Sequence, residues 1–170
     1  MDLGIFLLRI VVGLTLAAHG AQKLFGWFGG PGLDKAGQGM AMLGFQPGRR
    51  SAFRAGIVET AGGALLALGL FTPLAGTLVA SVMLVAAVSA HLKKGFFLES
   101  GGFEYTLVLG AAGISVALTG PGALSIDALL GISVNGAVWG LGAVVAAAAG
   151  GAIQLSQRRY PSPPQVAAAA

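Results

Sequence analysis

Ala18-His19-Gly20-Ala21-Gln22-Lys23-Leu24-Phe25-Gly26-Trp27-Phe28-Gly29-Gly30 closes the first long apolar run of the chain. The run starts at Leu3 and meets an ionisable side chain only at Arg9 before it reaches His19 and Lys23. Four residues apart on a helix, these two share a face about one turn from each other. Ionisable groups at membrane depth cost roughly 2.5–3.5 kcal/mol each on insertion scales, so they are held there by pairing or by function. The stretch therefore makes the run a candidate membrane span and asks what His19 and Lys23 meet.

The bulk numbers answer the first point. The chain has 170 residues, a mean hydropathy of +0.83, 55% hydrophobic residues and 9% charged ones. A soluble domain carries about 25% charged residues, so this is the composition of an integral membrane protein. Its 29 glycines suit helices that approach closely in lipid. The net charge of +4 does not indicate nucleic acid, because most basic residues flank apolar runs, where topology explains them. The absence of cysteine excludes a dithiol centre, a thiolate metal site, an iron–sulfur cluster and a disulfide within the chain. Asp2 stands where a signal peptide has its basic region and Arg9 interrupts the apolar stretch, so the first run reads as a retained span.

Spans need about 20 mostly apolar residues, and five stretches qualify or nearly do: Leu3–Leu24, Ala52–Leu70, Leu74–Leu92, the shorter Phe103–Thr119 and the Ala/Gly-rich Gly136–Leu155. The expected fold is an all-α membrane protein. Residues 1–120 form a four-helix transmembrane bundle, 121–157 a linker and a fifth C-terminal transmembrane helix, and 158–170 a disordered tail. Within the long first loop, Trp27 and Phe28 read as interfacial aromatics and Leu33–Phe45 as a short amphipathic surface helix. Phe71-Thr72-Pro73 is a tight turn that makes spans two and three antiparallel neighbours. Gly120–Asn135, which contains Pro121, joins spans four and five. Lys35, Arg49, Arg50 and Arg54, then Lys93 and Lys94, then Arg158 and Arg159 all fall on one side of a five-span chain. The positive-inside rule then places the N-terminus outside and the C-terminus in the cytoplasm.

That topology gathers a polar layer at the basic side. His19, Gln22 and Lys23 come from span one, Glu59 from span two, His91 from the end of span three, and Glu104 and Tyr105 from the start of span four. Glu59 shares its helix face with Gly62, Gly63 and Leu66, a small-residue face that packs inward. Two readings stay open for it: a structural ion pair with Lys23 or Arg54, or a place in a pocket. Lys23 has the alternative of snorkelling to the interface, and His91 and Glu104 of capping helix ends. On the other side only Arg9 intrudes, reaching headgroups or pairing with Asp2. No metal site is expected, because the two histidines lack any recognised ligand spacing. No phosphate-cradling loop marks a nucleotide site either.

At these residues the chain resembles the DoxX family of small bacterial membrane proteins, which includes the YphA- and YqjF-like proteins. The matching features are Leu8-Arg9-Ile10 and His19-Gly20-Ala21-Gln22-Lys23-Leu24-Phe25-Gly26, then Glu59-Thr60-Ala61-Gly62-Gly63 and Leu68-Gly69-Leu70-Phe71-Thr72-Pro73. His91 before Gly95-Phe96-Phe97, and Glu104-Tyr105, complete them over roughly Leu3–Thr119. The resemblance to a family of small bacterial membrane proteins implies a protein of the bacterial cytoplasmic (inner) membrane, and a link to membrane redox systems, since the family takes its name from a subunit of an archaeal thiosulfate:quinone oxidoreductase. It also implies an accessory role, since some relatives associate with oxidative-stress enzymes and distant animal ones act as chaperones or cargo receptors.

Three functions compete at this point. The first is an auxiliary subunit of a membrane oxidoreductase with the polar layer at a quinone headgroup. His19, Lys23, His91 and Glu59 offer the donors and proton route a quinone needs, and no intrinsic cofactor is expected beyond that quinone. The second is a non-enzymatic assembly or structural subunit, docked to a larger membrane complex through the fifth helix by Gly136 and Gly140 in GxxxG spacing. The third, a small-solute transporter, lacks an internal repeat. The partners expected are the lipid bilayer, a larger complex or a second copy of the chain, and no nucleic acid.

Overall fold

A computed structural model describes residues 2–132 and 134–160. The expectation of disorder concerns in large part residues 161–170, which lie outside the described residues. The α-helices are α1 (Asp2–Phe25), α2 (Gly32–Met42), α3 (Gly48–Leu68), α4 (Thr72–Ala86), α5 (Glu104–Thr119), α6 (Ile126–Leu129) and α7 (Ala137–Ser156). No strand occurs among the described residues. The chain is an all-α membrane protein in which α1, α3, α4 and α5 form the bundle and α7 packs outside on α4 and α5.

Among the described residues, three helical stretches are long and apolar enough to cross a membrane: α1, Thr72–Lys94 and α7. Thr72–Lys94 is α4 continued through a wide π turn, Ala87–His91, and a tight turn, Leu92–Lys94. The α5 helix is apolar but has 16 residues, about 24 Å at ~1.5 Å per residue. The α3 helix has 21 residues and carries Arg49, Arg50, Arg54 and Glu59, so composition alone does not make it a span. Packing holds it: Ala52, Gly56, Glu59, Gly63 and Leu66 lie buried on one face. A Cβ added to Gly13 of α1 would strike the Gly63 carbonyl, and one added to Gly63 would strike the Gly13 carbonyl. The two backbones touch, as small residues permit in lipid. Gly76 and Gly113 bring α4 and α5 together in the same way.

The faces turned away from the bundle are apolar. Leu3, Leu7, Val11 and Leu14 on α1 and Val138, Leu141, Val145 and Ile153 on α7 are exposed at helical spacing, which is the surface hydrocarbon requires. Trp27, Phe28 and Phe25 are exposed together where α1 ends. The expected surface helix is α2, held by its buried Gly37 against Arg49 at the start of α3.

The α3–α4 turn is where expected. Gly69 takes a left-handed φ of 63°, and Leu70 N donates to Leu65 O at 3.0 Å, a helix-ending motif. Pro73 then sits in the first turn of α4.

Two expectations need correction. Residues 120–135 are more than a plain link. Ser125 caps the short α6 by accepting from Ala128 N at 3.1 Å, and α6 buries Asp127 completely. Asp127 accepts hydrogen bonds from Phe71 N at 2.9 Å, Thr72 N at 2.9 Å and Thr72 Oγ1 at 2.6 Å. Arg9, also fully buried, donates to the Leu124 carbonyl instead of reaching headgroups, and Asp2 accepts from Ala123 N at 2.9 Å instead of pairing with Arg9. The second correction concerns α7. Gly140 faces Leu118 of α5, and Gly136 precedes the helix in open space, so this glycine pair does not present a docking face to another protein.

Candidate functional site

Nine of the ten basic residues lie at the end of the bundle where α1 finishes and α3 starts, with Arg9 alone at the other. At this basic end α3 carries Glu59 inward on its small-residue face, 5% exposed. One helix away, Lys23 reaches it: Nζ lies 2.6 Å from Oε2, and the lysine side chain is 27% exposed. Of the two partners left open by the sequence, Lys23 is therefore the one paired, and Arg54 makes no ion pair among the described residues. A charge-assisted bond of this length satisfies both groups in a low-dielectric setting.

The pair stands in the wall of a cavity of 430 Å³. Arg54, Ala55, Val58 and Glu59 line it from α3, Leu78, Ser81, Val82 and Val85 from α4, and Gly150 and Gln154 from α7. Met40 of α2 and Leu43 and Phe45 of the α2–α3 connection roof it. The π turn matters here, because the wider helical path at Ala87–His91 brings Ser89, Ala90 and His91 to the wall. His91 Nδ1 lies 2.7 Å from the Gly101 carbonyl. A carbonyl only accepts, so Nδ1 carries the hydrogen, and Nε2 has no partner among the described residues. An adjoining pocket of 70 Å³ shares Phe45, Ser51, Arg54 and Gln154 and adds Arg50, Gln46 and Gln157.

The expected polar layer thus divides. Lys23, Glu59 and His91 come together at the cavity. His19 and Tyr105 meet on the α1–α5 side, with Nε2 and the phenol oxygen 3.2 Å apart and the rings edge to face. Glu104 turns to the α4–α5 loop and accepts from Leu98 N at 2.9 Å. Gln22 packs under Gly30, its amide 3.5 Å from the Phe28 carbonyl. Gln22 and Glu104 therefore order loops and do not line the cavity. Sequence reasoning missed Ser81, Ser89, Gly150 and Gln154. The available signal was Gln154, a polar residue inside an apolar span, one turn from Gly150 on the same face. Among the described residues, no three His, Asp or Glu side chains converge as metal ligands would.

The model of the DoxX family matches residues 4–92. The chain belongs to the DoxX family. "Putative oxidoreductase CatD" of Bacillus subtilis (strain 168) is 30% identical over 132 residues, covering 74% of this chain and 86% of that protein. No solved structure gives a significant match. The family match carries α1, α3 and α4 with Lys23, Glu59 and His91, and ends before α5 and α7.

Proposed function

We propose that this DoxX protein is an accessory subunit of a membrane oxidoreductase system and that its cavity holds the headgroup of a quinone. The observation that carries the reading is the Lys23–Glu59 pair in the wall of a largely apolar cavity of 430 Å³. A quinone ring is apolar on its faces and needs hydrogen-bond donors at its carbonyls, together with a proton route on reduction. Lys23 has N–H groups to donate beyond the one bound to Glu59, and His91 Nε2, without a partner among the described residues, carries the lone pair that accepts from a quinol hydroxyl or takes up a proton. Buried ionisable groups beside a cavity in a membrane helix bundle favour function. Without cysteine the chain holds no dithiol or iron–sulfur centre, and in this reading electrons come from a partner subunit. The Bacillus subtilis relative is named an oxidoreductase, which supports the same class. In this reading the protein sits in the cytoplasmic membrane with the basic end inside and the N-terminus outside.

The test is purification from native membranes in mild detergent, with mass spectrometry of co-migrating proteins and of solvent-extracted lipids. Near-stoichiometric quinone together with a flavin, haem or iron–sulfur subunit is expected. Recovery alone and free of quinone contradicts the reading.

A second reading, a purely structural subunit, draws on the same pair, because at 2.6 Å the two charges satisfy each other. Replacing them together, Lys23→Met with Glu59→Leu, separates the two. A structural role predicts a stable protein that still joins its complex and supports full quinone-linked turnover. A headgroup role predicts a stable protein with that turnover lost.

A further inference from the structure

We propose that α7, which lies beyond the segment matched to the family, is the wall that sizes the cavity, and that Gln154 is the side chain through which it reads the bound headgroup. The proposal rests on the cavity being the headgroup site.

Without α7, the groove between α3 and α4 opens to lipid. The α7 helix covers it at glycines. Gly151 sits against Leu84 so closely that an added Cβ would lie 2.7 Å from a leucine methyl, which fixes the helix at short range. Gly150 has no side chain to fill the space, and a Cβ there would come within 3.2 Å of Ser81 Oγ. The cavity therefore owes part of its volume to a missing side chain.

One turn on, on the same face, stands Gln154. It is half-buried, lines both the main cavity and the pocket beside it, and makes no hydrogen bond among the described residues. Of the other polar groups of the wall, Glu59 is bound to Lys23, Ser89 Oγ donates to Val85 O at 2.6 Å, Arg54 only donates, and Ser51 and Ser81 carry short hydroxyls with less reach than a glutamine. A carboxamide offers both an acceptor and donors. It can donate to a quinone carbonyl and accept from the hydroxyl of the reduced form, so it holds either state of the headgroup.

The chain contains no cysteine, which makes single-cysteine reporters clean. Binding of a short-chain ubiquinone analogue to the full chain in lipid nanodiscs is measured for the wild type and three variants. Gly150→Leu is expected to weaken binding at least about tenfold by overfilling the cavity. Gln154→Met, equal in size but without the amide, is expected to weaken it about tenfold. Gly142→Leu, on α7 where a Cβ meets nothing, is expected to bind as the wild type does. A folded Gly150→Leu protein with wild-type affinity overturns the wall, and wild-type affinity in Gln154→Met overturns the role of Gln154. A ligand-free readout separates this proposal from the quinone reading. Ala90→Cys, in the cavity wall on α4, is labelled by a small maleimide with and without Gly150→Leu. If the wild type binds no quinone while Gly150→Leu slows labelling, the headgroup reading fails and the wall stands. Labelling that Gly150→Leu leaves unchanged overturns the wall.

Discussion

Each end of the bundle buries a charged pair, and the two are built differently. At the basic end Lys23 and Glu59 touch at 2.6 Å across α1 and α3, beside a cavity. At the opposite end Arg9 and Asp127 are both fully buried and make no salt bridge. Their partners are backbone and hydroxyl groups: Leu124 O for Arg9, and Phe71 N, Thr72 N and Thr72 Oγ1 for Asp127. The 430 Å³ cavity and the 70 Å³ pocket are both lined from the basic end. The guanidinium fills the space over Gly69 where a Cβ would stand. This is a staple between the α3–α4 turn and the segment before α7. The difference teaches that burial of charge alone does not mark a site. What distinguishes the basic end is a satisfied pair with ligand-sized space next to it.

The comparison is broken most severely at the staple. Asp127→Ala leaves two backbone N–H groups, of Phe71 and Thr72, and the Thr72 hydroxyl without their acceptor. A loss of roughly 3–5 kcal/mol is expected, because each buried donor left unsatisfied costs about 1–3 kcal/mol. Thermal unfolding in detergent measures it, and a stability within about 1 kcal/mol of wild type removes the staple. Gly69→Ala, with a left-handed φ of 63° and Arg9 in the way, should destabilise in the same assay.

The Lys23–Glu59 pair comes next. Glu59→Gln strands the Lys23 ammonium and should cost about 2 kcal/mol, while Lys23→Met with Glu59→Leu should recover most of it. A double variant less stable than the single would show that the pair is not a self-contained unit. The His19–Tyr105 contact is smaller. Tyr105→Phe removes one neutral hydrogen bond, with about 1 kcal/mol expected and no change in quinone affinity. A loss of affinity there would move the site to the α1–α5 side. The least effect belongs to Gly142→Leu, which faces open space, and a melting temperature shifted by more than a few degrees would place that face in contact with something other than lipid.

Much of this was legible in the sequence, for physical reasons. The long apolar runs gave α1, the Thr72–Lys94 rod and α7, because length and hydropathy decide membrane insertion locally. The Gly69–Pro73 turn was legible because glycine and proline constrain the backbone by themselves. The inward position of Glu59 followed from its spacing to Gly62 and Gly63. What the sequence concealed depends on contacts between distant segments. Asp127 meets Thr72 across 55 positions and Arg9 meets Leu124 across 115, and no periodicity encodes such meetings. The one available hint was an aspartate in an otherwise apolar link, two residues after a serine suited to cap a helix. Glu104 looked like a pocket residue because its position at the start of α5 is right. Its side chain instead turns to the α4–α5 loop, where the Leu98 N–H needs an acceptor.

The most direct test is photo-crosslinking with an azidoquinone in native-lipid nanodiscs, followed by peptide mass spectrometry. Adducts on Ala55, Val58, Val82 or Gln154, reduced by excess short-chain quinone, are the predicted result. Adducts confined to the lipid-facing Leu7, Val11, Val138 or Val145, or labelling that competitor leaves unchanged, would contradict a headgroup site beside Lys23 and Glu59.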